Sequence, residues 1–262
     1  MNYELKEADP GGGFWNISAA GLTDVGQVRE NNEDTFSLSP QLGLYLVSDG
    51  MGGTKAGQAA SAVVAQVLPS QLDALLSRRF PDDGEEMAEI LGEAASMISN
   101  EFLARSSNEP ALSGAGAAVV ACWFLDNSAA LVHMGDSRAY RLRNGQLERL
   151  TNDHTVTELL LKLGKIDETE ALEHPGRHAL TKYVGMEPAA QPEAAVLDVR
   201  LGDRMLLCSD GLWGVVEEEK LTELLGEDCD LESICRQMID AANENGGPDN
   251  ITAVVIKIDT RQ

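Results

Sequence analysis

Four aspartates in this chain each stand where an apolar run ends and a tight turn begins. They are Asp49, Asp136, Asp210 and Asp249, in the segments YLVSDGMGG, VHMGDSRAY, MLLCSDGLW and GPDNITAVVI. Such a pattern predicts buried strands that carry carboxylates at their tips. A buried carboxylate without a partner costs several kcal/mol because it loses its hydration. Bound divalent cations keep such groups ionised and close together. The pattern therefore predicts a metal site built from oxygen ligands, with metal-assisted chemistry.

The elements that must position these carboxylates are short strands separated by helical zones. Alternating or continuous apolar runs predict strands, and a period near 3.6 predicts helices. The predicted strands are 14–23, 35–39, 42–48, 116–125, 129–135, 138–143, 146–151, 195–201, 204–209 and 251–258. The predicted helices are 56–68 (ending near Pro69), 85–103, 155–163, 167–173 and 231–242. This order does not alternate strand with helix, so it favours an antiparallel α+β layered domain over a βαβ fold.

The domain organisation follows from length and composition. No Pro/Gly/Ser-rich linker interrupts the middle of the 262 residues, and the four aspartates come from both halves. One domain over 14–262 is therefore expected. Residues 1–13, MNYELKEADPGGG, are expected to form a short polar tail ending in flexible glycines.

The charge balance limits the partners. The net charge is −23, with 43 acidic and 20 basic residues. This argues against nucleic acid, whose phosphates need Lys and Arg, and against anionic membrane surfaces. We expect no membrane span, because no apolar run reaches about 18 residues, and the N-terminus does not resemble a secretory signal. The four cysteines are expected to be free, buried thiols in a reducing cytoplasm.

Taken in order, the motifs resemble one family. They are GLTDVGQVRENNEDTF, LYLVSDGMGGTKAGQAAS, GAGAAVVACWF, VHMGDSRAYRL, LTNDHT, MLLCSDGLWGVV and GPDNITAVVIKI. Each segment alone is a weak signal, since Asp-Gly is an ordinary turn dipeptide. The series is similar to the metal-dependent serine/threonine phosphatases of the protein phosphatase 2C family, in their compact bacterial form, over about 17–258. The resemblance implies a four-layer α-β-β-α sandwich, with two central antiparallel sheets flanked by helix pairs and metals at one end.

The resemblance also implies metal-binding roles for the strand-tip residues. Asp49 is expected to bridge two cations, and the Gly50 carbonyl to bind one of them. Asp210 and Asp249 are expected to complete the second cation's protein ligands. Asp136, together with Asp210, is expected to hold a third, weaker ion. Mg²⁺ and Mn²⁺ both suit all-oxygen ligands, so the metal identity stays open.

A further set of residues would turn a metal site into a phosphatase site. Arg29 matches the family's phosphate-binding arginine, since a planar guanidinium can hold two phosphate oxygens at once. Glu33 and Asp34 resemble the family's paired acids, which hold metal-bound waters more than the ions; of the two, Asp34 is expected among the metal ligands and Glu33 behind them. Asn250 is expected to orient Asp249 or a water from behind. The implied reaction is direct attack on phosphorus by a hydroxide that bridges two cations, without a phosphoenzyme.

One position departs from many eukaryotic relatives. They carry His directly after the Asp-Gly, where it is proposed to protonate the leaving alkoxide. This chain has Met51, so we expect a metal-bound water to supply the proton. The histidines at 133, 154, 174 and 178 are expected to do no chemistry, and Arg138 and Tyr140 are expected to be structural.

Other enzyme classes fit the residues less well. The segment after Asp49 lacks the Gly-Lys-Ser/Thr order of a nucleotide loop. A Cys-x5-Arg loop is absent from the sequence, which excludes a cysteine-dependent tyrosine phosphatase. Two alternatives stay open: a phosphoprotein-binding pseudophosphatase and a hydrolase of small phosphate esters or nucleotides. The expected partners are phosphorylated substrates of an opposing serine/threonine kinase, with specificity in the flap, residues 155–191, and a monomer as the default state.

Overall fold

The computed structural model describes residues 15–260, which form ten strands, seven α-helices and one 3-10 helix at Pro110–Leu112. The tail predicted at 1–13 lies outside the described residues. The strands are β1 (Trp15–Asp24), β2 (Asp34–Ser39), β3 (Leu44–Met51), β4 (Gly116–Leu125), β5 (Ser128–Met134), β6 (Arg138–Arg143), β7 (Gln146–Arg149), β8 (Glu193–Val196), β9 (Arg204–Cys208) and β10 (Ile251–Thr260). The helices are α1 (Thr54–Leu76), α2 (Gly84–Ser106), α3 (Val156–Lys162), α4 (Glu168–Glu173), α5 (Asp210–Trp213), α6 (Glu218–Leu225) and α7 (Leu231–Glu244).

The strands form two five-stranded antiparallel sheets. One has the order β1-β10-β9-β6-β7 and the other β2-β3-β4-β5-β8. Their inner faces pack together through a buried apolar layer that includes Val47, Val120, Leu207 and Val254. Because both faces of the central strands are covered, β3, β4 and β10 read as nearly continuous apolar runs.

Helices cover the outer face of each sheet, which completes the predicted α-β-β-α order. Helices α1 and α2 share a second core with the β2-β3-β4-β5-β8 sheet. Helices α6 and α7 share a third core with the other sheet. Asp83 directly precedes helix α2, and its carboxylate accepts a hydrogen bond from the Glu86 amide and so caps the first turn. The predicted fold class is confirmed.

Helix α1 corrects the prediction that its segment ends near Pro69. It continues through Pro69 to Leu76. A proline inside a helix removes one backbone hydrogen bond, but Leu68 and Leu72 on either side are fully buried. Their packing holds the helix together where its local propensity is poor.

By length and composition, helix α1 is also apolar enough to cross a membrane. The criterion of an uninterrupted apolar run does not detect it. The stretch Lys55–Leu76 has a mean hydropathy of 1.3, and 33% of its most apolar window is buried in the structure. Its buried face, with Ala60, Val64 and Leu68, packs into a core cluster of the sandwich. A helix that covers one side of a sheet, as α1 does, can have the same length and mean hydropathy as a membrane-spanning helix.

Two further predictions need correction, and one helix, α6, was not predicted. The strand predicted at 195–201 is β8 at Glu193–Val196, and the chain then leaves the sheet. The sequence does not predict helix α6, because its apolar stripe spans a single short element. The stripe consists of Leu221, Leu224 and Leu225. Cys229 is exposed, whereas the other three cysteines are free and buried as predicted.

Candidate active site

The sandwich brings the strand-tip carboxylates to one end, between the two sheets. In the β2–β3 ladder Asp34 lies opposite Asp49. Asp136 follows β5, Asp210 follows β9 and Asp249 precedes β10. Asp49, Asp136, Asp210 and Asp249 line a cavity of about 270 Å³, together with Arg29, Glu33, Gly50 and Asn250. Arg29 and Asp249, which are 220 positions apart, thus meet in one place.

The electrostatics of this cavity are those of crowded carboxylates. Burial, followed by the charges of Asp34 and Asp210, raises the pKa of Asp49 well above its usual value. Burial and the charge of Asp210 raise the pKa of Asp136 to about 8. Burial and the Asp249 charge raise the pKa of Asp210, although it shares a hydrogen bond with Asp49. In each case burial is the largest cause and the charges of neighbouring carboxylates add to it, since both disfavour the ionised form.

Glu33 and Asp34 take different positions. Their order is the reverse of the prediction, in which Asp34 is the metal ligand and Glu33 lies behind it. Glu33 faces the cavity, whereas Asp34 is 6% exposed and lies behind it. The Asp34 Oδ2 accepts hydrogen bonds from the Ser209 hydroxyl at 2.6 Å and the Thr252 hydroxyl at 2.7 Å. Burial raises the pKa of Asp34 to about 7. Asp34 therefore joins the two sheets beneath the acids that line the cavity.

Asn250 supports the site differently from the prediction. Its side-chain Nδ2 donates to the carbonyls of Val25 and Asn31, both at 2.9 Å, and its Oδ1 accepts from the Glu33 amide at 2.8 Å. Its backbone amide, rather than its side chain, donates to the Asp249 Oδ1 at 2.9 Å. Asn250 thus fixes the whole loop that carries Arg29 and Glu33, and orients Asp249 at the same time.

Arg29 reaches the cavity and forms an ion pair there. Its Nη2 donates to the Asp249 Oδ2 at 2.7 Å, and its side chain is 54% exposed. The exposure leaves the rest of the guanidinium open to solvent at the mouth of the cavity. The arginine predicted to bind phosphate is therefore positioned beside the predicted metal ligands.

Gly50 is required by packing as well as by any ligand. A β-carbon at Gly50 would lie 2.1 Å from the Gly57 carbonyl oxygen and 2.7 Å from the Glu33 carbonyl oxygen. At Gly57 a β-carbon would lie 1.8 Å from the Glu33 Oε2. The first turn of α1 therefore rests directly on the tip of β3 and on the Glu33 carboxylate, which the helix N-terminus favours.

The loop after β5 is held by a buried cationic network. Arg138 donates to both carboxylate oxygens of Asp153, at 2.9 and 2.7 Å, and to the Tyr140 hydroxyl at 3.0 Å. Its guanidinium lies 3.4 Å from the centre of the Trp213 ring. The Trp213 indole in turn donates to the Asp136 carbonyl at 2.9 Å. Arg138 and Tyr140 are structural, as predicted, and they hold the Asp136 turn in place.

Comparison with known proteins identifies the family. The model of the protein phosphatase 2C family matches residues 26–255. The chain belongs to the protein phosphatase 2C family. It is 32% identical over 246 residues to the serine/threonine phosphatase stp of Listeria monocytogenes, covering 92% of this chain and 95% of the relative. It is 36% identical over 240 residues to the serine/threonine protein phosphatase PstP of Mycobacterium tuberculosis, covering 91% of this chain and 44% of the relative.

Solved structures of protein phosphatase 2C relatives agree with the fold. The crystal structure of the Mycobacterium tuberculosis phosphatase PstP/Ppp has a TM-score of 0.79 at 34% identity, covering 93% of this chain and 99% of that one. The catalytic domain of PstP in complex with two manganese ions has a TM-score of 0.77 at 32% identity, covering 94% and 99%. This protein phosphatase 2C is a serine/threonine phosphatase that depends on divalent metal.

The structure brings to the phosphatase site one of the four histidines that were expected to do no chemistry. His178, in the flap, lies in the wall of the cavity near Leu180. Backbone hydrogen bonds hold this part of the flap, from the Val156 amide to the Ala179 carbonyl at 2.9 Å and from the Thr181 amide to the His154 carbonyl at 2.7 Å. No local sequence pattern predicts the position of His178, because it depends on where the flap folds back.

A cluster of His133, His154 and Glu193 lies apart from the acids, with ligand atoms within 4.8 Å of one another. The Gly135 amide donates to the His154 Nδ1 at 3.2 Å, so the proton of that ring is on Nε2, which lies 3.0 Å from Glu193. The His133 Nε2 donates to the Asn152 carbonyl at 2.9 Å. The rings are stacked 4.6 Å apart and nearly parallel, so their lone pairs do not converge on one ion. The cluster is a hydrogen-bonded link between the loop and β8.

Proposed function

We propose that this phosphatase hydrolyses phosphoserine and phosphothreonine in proteins with two divalent cations, Mg²⁺ or Mn²⁺, and a third, weaker one. The observation that carries the proposal is the convergence of Glu33, Asp49, Asp136, Asp210 and Asp249 in one cavity. Bound there, the cations supply a hydroxide nucleophile near neutral pH and offset the charge on the transferred phosphoryl group.

The donor set fits hard cations. Every proposed side-chain ligand is a carboxylate oxygen. Burial and mutual repulsion raise the pKa values of Asp49, Asp136 and Asp210, and bound divalent cations would favour the ionised form of each. Asp49, Asp210 and Asp249, with the Gly50 carbonyl, would hold the two main ions. The charge of Asp210 acts on Asp136, which supports a shared third ion at that pair.

Arg29 binds the phosphate in this proposal. Its guanidinium lies at the mouth of the cavity, 2.7 Å from Asp249 through Nη2, with more than half of the side chain exposed. A guanidinium can bind two phosphate oxygens in parallel, which fixes the phosphorus relative to the carboxylate cluster.

The proton for the leaving oxygen comes from water. The Met51 side chain lines the cavity and has no proton to give. His178 also lines it, but its Nε2 accepts a hydrogen bond from the Arg177 Nε at 2.8 Å. That nitrogen therefore carries no proton in this arrangement; the proton of the neutral ring is on Nδ1, and the proposal assigns the transferred proton to water rather than to it.

The test compares a phosphothreonine peptide with a nucleotide, each with Mn²⁺ and then with chelator. We expect turnover of the peptide with metal, none with chelator, and loss by at least about 1,000-fold in Asp49→Asn. The matched control is Asp126→Asn, which makes the same change at an exposed turn position. Activity that persists in chelator, or a clear preference for the nucleotide, would refute the proposal. Binding of the phosphopeptide without turnover would favour a pseudophosphatase.

The wider setting forms part of the same proposal. The substrates would be those of an opposing serine/threonine kinase in the cytoplasm, and the protein would act as a monomer. The net charge of −23 supports the absence of nucleic-acid and anionic membrane partners.

A further inference from the structure

A chain of hydrogen bonds joins the loop before β2 to Asp34 by way of the opposite sheet. The Asn32 Nδ2 donates to the Thr23 Oγ1 at 2.8 Å, and the hydroxyls of Thr23 and Thr252 lie 2.7 Å apart. The Thr252 hydroxyl donates to the Asp34 Oδ2 at 2.7 Å. The Asp34 amide closes the chain, since it donates to the Asn32 Oδ1 at 3.0 Å. We call Thr23, Asn32, Asp34 and Thr252 the hydrogen-bonded ring.

The position of each proton in the hydrogen-bonded ring follows from the neighbouring groups. A backbone N–H can only donate, so the Asn32 atom that faces the Asp34 amide is the oxygen, and its amide nitrogen faces Thr23. The single hydroxyl proton of Thr252 goes to the Asp34 Oδ2, so the contact between the two threonines uses the proton of Thr23. The side-chain donors therefore all point from Asn32 towards the Asp34 carboxylate. In such a chain each hydrogen bond polarises and strengthens the next.

Thr23 takes part in this chain from outside the active-site cavity. It lies on β1, at the edge of its sheet, and is paired with Thr252 in the ladder between β1 and β10. Among residues 15–260, the wall of the cavity includes neither threonine. Any effect of the Thr23 hydroxyl on the cavity must therefore pass through Asn32 or through Asp34.

Asn32 connects Thr23 to the acid that faces the cavity. It directly precedes Glu33, and its side chain is anchored at two points, the Asp34 amide and the Thr23 hydroxyl. The Glu33 amide is held separately by the Asn250 Oδ1, at 2.8 Å. The Glu33 carboxylate lines the cavity. Loss of the Thr23 hydroxyl would leave the Asn32 side chain with one anchor and the turn at Glu33 less firmly fixed.

We propose that Thr23 is a positioning residue of the active site, whose hydroxyl holds the Glu33-Asp34 turn in the arrangement that binds divalent cations. The inference rests on the proposed function, since it concerns the cations proposed for the same cavity. Hydrogen-bond partners of metal ligands commonly change metal affinity by 10- to 100-fold when they are replaced. Thr23 acts through a further residue, so we expect a smaller effect, of about three- to tenfold.

The experiment measures Mn²⁺ binding by calorimetry, which does not depend on turnover. Thr23→Val keeps the shape of the side chain and removes the hydroxyl, whereas Thr23→Ser keeps the hydroxyl and removes a methyl group. We expect Thr23→Val to weaken Mn²⁺ binding by about three- to tenfold, and Thr23→Ser to stay within about twofold of the wild type. The matched control is Thr222→Val in α6, which removes a hydroxyl that donates to the Glu218 carbonyl at 2.7 Å. It is expected to bind Mn²⁺ like the wild type.

Kinetic measurements separate positioning from a general loss of folded protein. In Thr23→Val the Mn²⁺ concentration that gives half-maximal turnover of a phosphothreonine peptide should rise by the same factor as the calorimetric Kd. We expect kcat at saturating Mn²⁺ to stay within about twofold of the wild-type value. A loss of folded protein would instead lower the apparent kcat and leave the required Mn²⁺ concentration unchanged.

Asn32→Ala opens the hydrogen-bonded ring at another point, and it provides a second test if Thr23→Val folds poorly. It is expected to weaken Mn²⁺ binding as well. The double variant Thr23→Val/Asn32→Ala is expected to bind Mn²⁺ no more than slightly less tightly than the weaker single variant, because both residues act through one chain. The matched control is Asn31→Ala, at an exposed position whose backbone carbonyl accepts a hydrogen bond from Asn250. It is expected to keep the wild-type affinity.

Three results would overturn the inference. The first is wild-type Mn²⁺ affinity in Thr23→Val or in Asn32→Ala, and the second is a loss in Thr23→Ser as large as that in Thr23→Val. The third is a double variant in which the two single losses simply multiply. A wild-type protein that binds no Mn²⁺ would instead refute the proposed function on which the inference rests.

Discussion

Replacement of Asp34 by asparagine tests the electrostatic account of the active site. Asp34 is buried, and burial raises its pKa to about 7. Asparagine has nearly the same shape and keeps an acceptor oxygen for the hydroxyls of Ser209 and Thr252. The substitution therefore removes a charge and leaves the packing and these two hydrogen bonds in place.

The direction of the effect follows from where the proton binds. In the unfolded chain an aspartate has a pKa of about 3.9, so between about pH 4 and pH 7 the folded protein holds a proton that the unfolded chain has lost. The free energy of unfolding of the metal-free wild-type protein therefore falls as the pH rises through this range. A difference of about 3 pKa units, at about 1.4 kcal/mol each, sets an upper limit of about 4 kcal/mol for this loss.

The assay is urea unfolding of wild type and Asp34→Asn in chelator, from pH 4.5 to 8.5. The two proteins are expected to be nearly equal at the acidic end. The variant is expected to be more stable by up to about 4 kcal/mol at pH 8. Added Mn²⁺ is expected to stabilise the wild type more at pH 8 than at pH 6, because metal binding requires ionised carboxylates and releases their protons.

Asp126→Asn is the control, since it makes the same chemical change at an exposed position and is expected to show no pH-dependent difference. A stability difference between wild type and Asp34→Asn that stays constant from pH 4.5 to 8.5 would refute the reasoning. So would a loss of stability in the variant at pH 8.

Three other substitutions test separate parts of the site. Arg29→Lys keeps the charge beside Asp249 but loses two-point phosphate binding, so steady-state kinetics should show KM for a phosphopeptide raised about tenfold, with a smaller change in kcat. Met51→His should raise kcat by less than about threefold if water is already an efficient proton donor. Arg138→Ala leaves Asp153 as a buried charge whose remaining cation, Arg149, lies 3.9 Å away, so the free energy of unfolding should fall by about 3 kcal/mol in a denaturant titration.

Each of these has a result that contradicts it. For Arg29→Lys it is an unchanged KM, and for Met51→His it is a large gain in rate with a new acidic limb in the pH profile. For Arg138→Ala it is a loss no larger than that of Arg236→Ala, which removes an exposed arginine paired with Glu232 on a helix surface.

The sequence predicts the elements of this fold where the apolar pattern is strong. Strands β3, β4 and β10 are covered on both faces and read as apolar runs, and α7 has one clear stripe. The end of α1 could not be predicted in this way, because the burial of Leu72 depends on the sheet beneath it. The tendency of proline to end a helix is a property of the local backbone, and tertiary packing overrides it in α1.

The positions of the site residues are likewise predictable from the sequence only in part. Apolar runs that end in aspartate predict which carboxylates reach the strand tips. Neighbouring residues at the end of a strand point in opposite directions, so the pair Glu33-Asp34 contains one side chain for the cavity and one for the interior. Which of the two faces the cavity depends on the hydroxyls of Ser209 and Thr252, which come from the opposite sheet.

The flap is joined to the sandwich largely through main-chain atoms. The Val184 amide and carbonyl pair with the Ala117 carbonyl and amide at 2.9 and 3.2 Å, and the Val156 and Thr181 amides donate to carbonyls across the loop. Bonds of this kind do not depend on which side chains the flap carries. Exposed flap positions such as Arg177 can therefore be substituted without loss of the backbone hydrogen bonds that tie the flap to the sandwich.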